Sequence, residues 1–264
     1  MKELLVVKMG TSSLLDAQSK LDQAQFSSVA DQAMGLQQTH DTVVITSGAI
    51  SAGAEEKAVD RRDYEGDYGM LRRLAAVGQP LLMERWRKAF GRHGQAVGQL
   101  LITPYELNID QESKLFIETL ASIALAGDIA VVNENDAVAD DEIKLGDNDR
   151  LSALVAAALG RLGLWSSVSL VLLSDVDALY EQFGTSRQKK IVRVDDIDSV
   201  LHLGGAIGSQ HGRGGMRTKL EAARIAGAAG VDMYIGDGRR PDVIRTAING
   251  QTGTHFVAKK SNKG

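Results

Sequence analysis

The chain has 264 residues, of which 44% are hydrophobic and 24% charged, so it is long and apolar enough for a sizeable globular core. Cysteine is absent, which excludes disulfides, thiolate metal sites and a cysteine nucleophile, and the net charge of −4 provides no general basic field for nucleic acid. The first residues lack a signal peptide and no apolar run reaches membrane-spanning length, so we expect a cytoplasmic protein without a membrane partner.

Short apolar runs alternate with longer helical patterns along the chain. The runs predict strands at residues 4–8, 41–46, 96–102, 129–133, 168–173 and 231–235. Helices are predicted at residues 21–38, 70–93, 111–126 and 242–248, with two more ending near residues 159 and 230. The polar stretches 54–68 and 181–190 are interpreted as loops.

This alternation predicts an α/β fold with a mostly parallel sheet covered on both faces, because its strands are apolar without a polar side. No clean linker interrupts the pattern. We therefore expect one domain over residues 1–264, with an N-terminal lobe to about residue 160 and a C-terminal lobe from about residue 161.

Polar and glycine residues follow directly after four of the predicted strands. They are Gly10-Thr11, Ser47-Gly48, residues 133–136 and Ser174-Asp175. Ligands of open parallel sheets bind beyond the carboxyl ends of the strands. Each segment alone is more often a turn or a helix cap, but their joint occurrence favours a single site at this edge.

Two glycine-rich segments, residues 8–12 and 212–219, contain lysines and predict phosphate chemistry. Glycines let backbone N–H groups approach phosphate oxygens, and lysine adds a compact positive charge. The common templates are missing: there is no P-loop, no protein-kinase signature, and Gly236-Asp237-Gly238 lacks the third glycine of a dinucleotide fingerprint. The phosphate-binding class therefore lies outside those templates.

Seven segments together resemble the glutamate 5-kinases, a branch of the amino acid kinase family. They are residues 6–12 (VVKMGTS), 46–53 (TSGAISAG), 75–79 (AAVGQ), 133–139 (NENDAVA), 144–149 (KLGDND), 173–175 (LSD) and 214–219 (GGMRTK). The resemblance implies the αβα sandwich of that family and an enzyme that uses ATP with Mg²⁺ to convert L-glutamate to L-glutamyl 5-phosphate. That is the first step of proline biosynthesis, and proline is the implied inhibitor.

The resemblance also implies roles for individual residues. Catalysis is assigned to Lys8, Asp149 and Lys219, with the carboxylate orienting the lysines. Glutamate binding is assigned to Ser47, Gly48, Ala49, Asn133, Asp136 and Asn148. ATP binding is assigned to Lys8, Gly10, Ser174, Asp175, Arg213, Gly214, Gly215, Met216, Arg217, Thr218 and Lys219.

The chemistry is consistent with these assignments. A γ-carboxylate has a pKa of about 4.3, so it is already a nucleophile at neutral pH and needs no general base. Two anions must meet, which requires cations, and Lys8 with Lys219 supplies them together with Mg²⁺. Mg²⁺ is expected on the ATP phosphates, so no protein metal site is predicted. Asp136 is expected to pair with the substrate ammonium.

Further expectations concern partners and competing functions. An acyl phosphate is labile in water, so transient contact with a glutamyl phosphate reductase is expected. The resemblance suggests a homodimer or homotetramer and a kinase domain without a PUA domain. The alternatives are an acetylglutamate or carbamate kinase, or a non-catalytic module that senses glutamate or proline. Residues 54–70 are where acceptor choice and feedback are expected to be set.

Overall fold

The computed structural model describes residues 1–103, 110–138, 148–205 and 215–259. The strands are β1 (Glu3–Met9), β2 (His40–Ile45), β3 (Val97–Ile102), β4 (Ile129–Glu134), β5 (Val168–Ser174), β6 (Leu179–Glu181), β7 (Lys189–Ile191), β8 (Arg193–Val194), β9 (Asp232–Asp237) and β10 (Thr254–Phe256). The helices are α1 (Thr11–Leu14), α2 (Gln23–Met34), α3 (Ala49–Lys57), α4 (Tyr68–Gly91), α5 (Asp110–Leu125), α6 (Asn148–Arg161), α7 (Met216–Ala228) and α8 (Val243–Ile248).

Eight strands form one sheet in the order β3-β4-β2-β1-β5-β9-β10-β8. Neighbours from β3 to β9 all pair in parallel, β10 runs antiparallel to β9, and β8 pairs in parallel with β10. Strands β6 and β7 form a separate antiparallel hairpin. The predicted mostly parallel sheet is therefore confirmed.

Each face of the sheet has its own apolar core, because successive residues of a strand point to opposite faces. In β1, Leu4 and Val6 join the core beneath α5, α6 and α7, whereas Leu5 and Val7 join the core beneath α2, α4 and α8. All four side chains are fully buried. Burial on both faces explains the unbroken apolar run and gives the αβα sandwich.

The two predicted loops are partly ordered. The stretch 181–190 is the tip of the β6–β7 hairpin, and α3 extends to Lys57 before a 3₁₀ turn at Arg61–Tyr64. The strands β6, β7, β8 and β10 were not predicted. They are two or three residues long, which is too short for the apolar run or alternation on which a strand prediction depends.

Helices α3 and α4 pack so closely that two positions require glycine. A Cβ on Gly78 would overlap the carbonyl oxygen of Ala49 and the backbone nitrogen of Gly53. A Cβ on Gly53 would in turn overlap the Leu74 carbonyl. This contact places the middle of α4 beside the start of α3, at the carboxyl edge of the sheet.

Within the described ranges, no helix combines the length and the apolar character that crossing a bilayer requires.

Candidate functional site

The site begins with a lysine at the end of the central strand. Lys8 lies level with Ile45 of β2 on one side and Leu172 of β5 on the other. Because these strands are parallel, their carboxyl ends reach the same edge of the sheet. Two helices also begin at that edge. They are α6, which follows β4 in the chain, and α7, which precedes β9.

Three buried charged side chains meet at this edge. The Nζ of Lys8 lies 2.5 Å from Oδ1 of Asp149, and the Nζ of Lys219 lies 3.1 Å from Oδ2 of the same carboxylate. The three residues are only 7%, 2% and 5% exposed for Lys8, Asp149 and Lys219, respectively. The hydroxyl of Thr218 also donates to Asp149 Oδ2, at 2.8 Å. One carboxylate of α6 thus holds side chains from two other elements, β1 and α7.

The carboxylate of Asp149 stays ionised in this setting. Burial alone would raise its pKa, but the charges of Lys8 and Lys219 outweigh that effect, and the pKa falls to about 2. Two ammonium groups contact one carboxylate in this poorly solvated place. Such a place attracts an anion that enters the site.

The next residue along α6, Asn148, is the centre of a buried polar network. Its Nδ2 donates to the Thr46 carbonyl at 2.6 Å, to Ser47 Oγ at 2.9 Å and to Asn133 Oδ1 at 3.0 Å. These partners lie at the ends of β2, which pairs with β1, and of β4, which pairs with the other edge of β2. Neighbouring residues of one helical turn therefore serve both the charged cluster and this network.

Helix α4 supports the network from the side. The Oε1 of Gln79 accepts a hydrogen bond from Asn133 Nδ2 at 2.9 Å, and Trp86 Nε1 donates to Thr46 Oγ1 at 2.9 Å. Neither residue was predicted to belong to the site. Gln79 is a buried polar residue at the end of the AAVGQ segment, and that was the available signal.

Asp136 is a second buried carboxylate, with a different environment. It is 8% exposed, and its Oδ1 has no hydrogen-bond partner among the described residues. Burial raises its pKa to about 6. A buried, unpaired carboxylate is costly unless a cation or donor satisfies it. Asp136 is therefore suited to a positively charged ligand group.

The remaining predicted residues follow β1, β2 and β5 or begin α7. Gly10 donates its N–H to the Leu173 carbonyl at 3.0 Å, and Ser174 Oγ donates to Asp175 Oδ1 at 2.9 Å. Gly48 adopts a left-handed conformation with φ of 111° and begins α3 at Ala49.

Gly215 precedes α7, whose first residue is Met216. Arg217 is exposed, and its backbone lies against Gly204, so the structure does not bring it into the charged cluster. Arg213 and Gly214 lie outside the described residues, as do residues 144–147 of the KLGDND segment.

Comparisons with known proteins agree with the fold and the motifs. The sequence model of the amino acid kinase family matches residues 3–237. The glutamate 5-kinase of Thermus thermophilus is 39% identical over 264 residues, which cover 98% of this chain and 69% of that protein. The glutamate 5-kinase of Proteus mirabilis is 39% identical over 264 residues, covering 98% and 70% of the two chains.

A solved carbamate kinase from Giardia lamblia, bound to AMP-PNP, superposes with a TM-score of 0.66. It is 15% identical, and the match covers 97% of this chain and 98% of that one. At this identity the likeness concerns the fold.

Proposed function

The chain belongs to the amino acid kinase family, in the group of the glutamate 5-kinases, and we propose that the edge around Asp149 and Asn148 is where it phosphorylates L-glutamate with ATP. The product is L-glutamyl 5-phosphate. The proposal depends above all on one observation: the buried Oδ1 of Asp136 has no partner among the described residues, and it follows three residues after Asn133, whose network leaves a second acceptor open.

That second acceptor is the Oδ1 of Asn148. The two N–H groups of its amide nitrogen are shared among three acceptors, while its oxygen is buried and has no partner among the described residues. Asp136 and Asn148 thus offer acceptor atoms only. Acceptors of this kind suit the ammonium of a free amino acid, and acetylation of that nitrogen would remove the charge that Asp136 requires.

The opposite end of the acceptor is suited to donors. Ser47 Oγ accepts from Asn148, so its own hydrogen is available to a carboxylate. The N-cap of α3 is Gly48, which has no side chain to satisfy the first backbone N–H groups of that helix, including that of Ala49. Ser47, Gly48 and Ala49 would hold the α-carboxylate, with Asn133 fixing Asn148.

Phosphoryl transfer itself requires cations rather than a base. The γ-carboxylate is ionised at neutral pH, and its approach to the γ-phosphate brings two anions together. Lys8 and Lys219 would stabilise that charge, and Asp149 would hold both ammonium groups in place. Asp149 would do so throughout the neutral pH range, because its pKa is about 2.

ATP would approach from the β5 side. A Cβ on Gly10 would lie 3.6 Å from the Lys8 Nζ, so its absence leaves that ammonium accessible to a phosphate. Ser174, Asp175 and the segment 213–219 would hold the rest of the nucleotide. Mg²⁺ would bind mainly to the ATP phosphates, because it keeps several of its waters and is usually bound through substrate phosphates rather than by an all-protein cage.

The remaining assignments extend beyond the site. The resemblance implies inhibition by proline and a homodimer or homotetramer. A cytoplasmic location is expected from the composition, and transient contact with a reductase is expected because the acyl phosphate is labile. The two lobes would divide the sheet between β1–β4, which carry the acceptor side, and β5 with β8–β10, which carry the nucleotide side.

An acceptor panel tests the proposal. ATP turnover is measured with L-glutamate, N-acetyl-L-glutamate and carbamate, each with and without proline. We expect turnover with L-glutamate and at least about 100-fold lower kcat/KM with the acetylated compound, since a buried carboxylate would lose its partner. Preference for N-acetyl-L-glutamate or carbamate would assign the chain to another kinase of the family, and glutamate binding without turnover would indicate a sensing module.

A further inference from the structure

Gln79 lies in the middle of α4, and it is the polar residue on the buried face of that helix, whose other buried residues are glycine, apolar or aromatic. It is 9% exposed, and the neighbouring buried residues of the same helix include Ala75 and Leu82. A buried glutamine is unfavourable unless its amide is hydrogen-bonded. Its Oε1 accepts from Asn133 Nδ2 at 2.9 Å, and this bond connects Gln79 to the network around Asn148.

The direction of every bond in this network follows from one backbone carbonyl. The Thr46 oxygen can only accept, so the group facing it at 2.6 Å must be the nitrogen of Asn148. That nitrogen also faces Asn133, which must then present its oxygen, at 3.0 Å. Asn133 consequently presents its nitrogen to Gln79, and Gln79 must supply an oxygen.

The chain of bonds fixes which end of Asn148 is left for a ligand. With its nitrogen committed to Thr46, Ser47 and Asn133, its oxygen is the open end. If Gln79 offered no oxygen, the Asn133 amide would lose its hydrogen-bond acceptor and could turn its nitrogen towards Asn148. Two donors would then face each other, and Asn148 could relieve that only by placing its oxygen against the Thr46 carbonyl.

The backbone around Gln79 is held firmly enough to act as that anchor. The preceding residue, Gly78, packs against the backbone of Ala49 and Gly53, with no room for a Cβ. Two turns further along α4, the fully buried Trp86 donates to the Thr46 hydroxyl. Residues seven apart lie on one face of a helix, so this face of α4 fixes the ends of both β4 and β2.

We propose that Gln79 is a positioning residue of the acceptor site, which acts through Asn133 to keep the oxygen of Asn148 directed at the substrate ammonium. This inference rests on the proposed function, because it takes a free amino acid as the acceptor. Gln79 does not touch the phosphoryl group in this scheme. Its removal therefore affects acceptor binding and leaves the chemical step and nucleotide binding nearly unchanged.

A double-mutant cycle tests the coupling. Gln79→Met keeps the length of the side chain and removes its hydrogen bonds, and Asn133→Ala removes the intermediate residue. We expect Gln79→Met to raise the KM for glutamate by about 10-fold or more, with the KM for ATP and kcat within about threefold of wild type. In the Asn133→Ala background the same change should alter the glutamate KM by less than about twofold.

Control variants separate positioning from loss of structure. Gln38→Met makes the same substitution at an exposed residue and should change neither KM. Gln79→Asn retains the amide but shortens the side chain, so it should reproduce the KM increase even if Gln79→Met folds poorly. An equal KM increase in the wild-type and Asn133→Ala backgrounds would overturn the proposal. Direct contact between the Gln79 nitrogen and the substrate would give that result. A lower kcat and a lower Tm together with higher KM values for both glutamate and ATP would also overturn it.

Failure of the proposed function would be visible separately. It would appear in the wild-type chain, as turnover that prefers N-acetyl-L-glutamate or carbamate, or as no turnover. The cycle is then repeated with glutamate binding measured by calorimetry, or with the preferred acceptor. Additive effects of Gln79→Met and Asn133→Ala in that measurement would overturn the role of Gln79 independently of which acceptor is used.

Discussion

Lys8 and Asp149 form a buried ion pair of 2.5 Å that joins the end of the central strand to the first turn of α6. The same carboxylate contacts Lys219 at 3.1 Å, so it lies between two ammonium groups. Breaking a buried ion pair by removing one partner is far more costly than losing an exposed one, because the remaining charge is left poorly solvated. The cluster therefore links the stability of the fold to the geometry of the site.

Asp149→Asn should reduce both stability and turnover. The change leaves two buried ammonium groups facing a neutral amide, and we expect the free energy of unfolding to fall by about 3–5 kcal/mol. Turnover should fall at least about 100-fold, since the lysines lose the group that orients them. Denaturant titration and kcat measured well below the Tm provide the two readouts.

Asp198→Asn is the matched control for that variant. Asp198 pairs with Lys259 at 3.6 Å, and both side chains are about 60% exposed. Its loss should cost at most about 1 kcal/mol and leave turnover unchanged. If the two aspartate variants behaved alike, the buried carboxylate would have neither a structural nor a catalytic role.

The pH dependence of kcat/KM for glutamate should reflect the ionisation of Asp136. Because burial raises its pKa to about 6, the unliganded enzyme carries a neutral acid below that pH and a carboxylate above it. Only the carboxylate can pair with an ammonium group. We expect kcat/KM for glutamate to rise about tenfold per pH unit up to about pH 6 and then to level off, as a free-enzyme ionisation does. Asp136→Asn should abolish this dependence and raise the KM for glutamate.

The same carboxylate should lower the stability of the ligand-free enzyme at neutral pH. Its folded pKa of about 6 exceeds the ordinary 3.8, so the folded state binds the proton more tightly. The free energy of unfolding should therefore fall as pH rises from about 4 to about 6, by up to about 3 kcal/mol. Asp136→Asn should recover up to that amount at pH 8. A variant with unchanged or reduced stability would contradict the assigned desolvation.

Asp149 affects stability in a different pH window and in the opposite sense. Its folded pKa of about 2 lies below the ordinary 3.8, so the stability it contributes is present above about pH 4 and is lost as pH falls towards 2. The loss of stability of the wild type below pH 4 should therefore be weaker in Asp149→Asn. Asp136→Asn should instead remove the fall in stability between about pH 4 and about pH 6, and it should leave the dependence below pH 4 unchanged.

The main strands and helices were predictable from sequence because each carries a strong local pattern. The apolar run of β1 is unbroken since Leu4 and Val6 are buried on one face while Leu5 and Val7 are buried on the other. β8 and β10 lack such a pattern. Their pairing depends on the edge of β9, which is fixed only once the sheet has formed.

The residues at strand ends were predictable for a similar reason, since parallel strands place them at one edge. The contacts of Gln79 and Trp86 were not predictable. Both lie inside a long helix, where local periodicity indicates which face is buried but not what that face contacts. Their partners, Asn133 and Thr46, are 54 and 40 residues away in sequence. Only the packing of α4 against the sheet reveals the connection.

Gly78→Ala should damage both the fold and acceptor binding. The added Cβ would overlap the backbone of Ala49 and Gly53, which cannot move aside as a flexible side chain would, so we expect a loss of at least about 3 kcal/mol in the free energy of unfolding. Any shift of α4 that relieves the overlap also moves Gln79, so the KM for glutamate should rise in whatever fraction folds.

Gly91→Ala, at the last residue of the same helix, is the control: nothing lies within 4 Å of its added Cβ, and its φ is not positive. Alanine is the better helix former there, so stability should be unchanged or rise by up to about 1 kcal/mol. Equal effects of the two glycine variants, measured by denaturant titration, would show that the close approach of α3 and α4 does not require glycine.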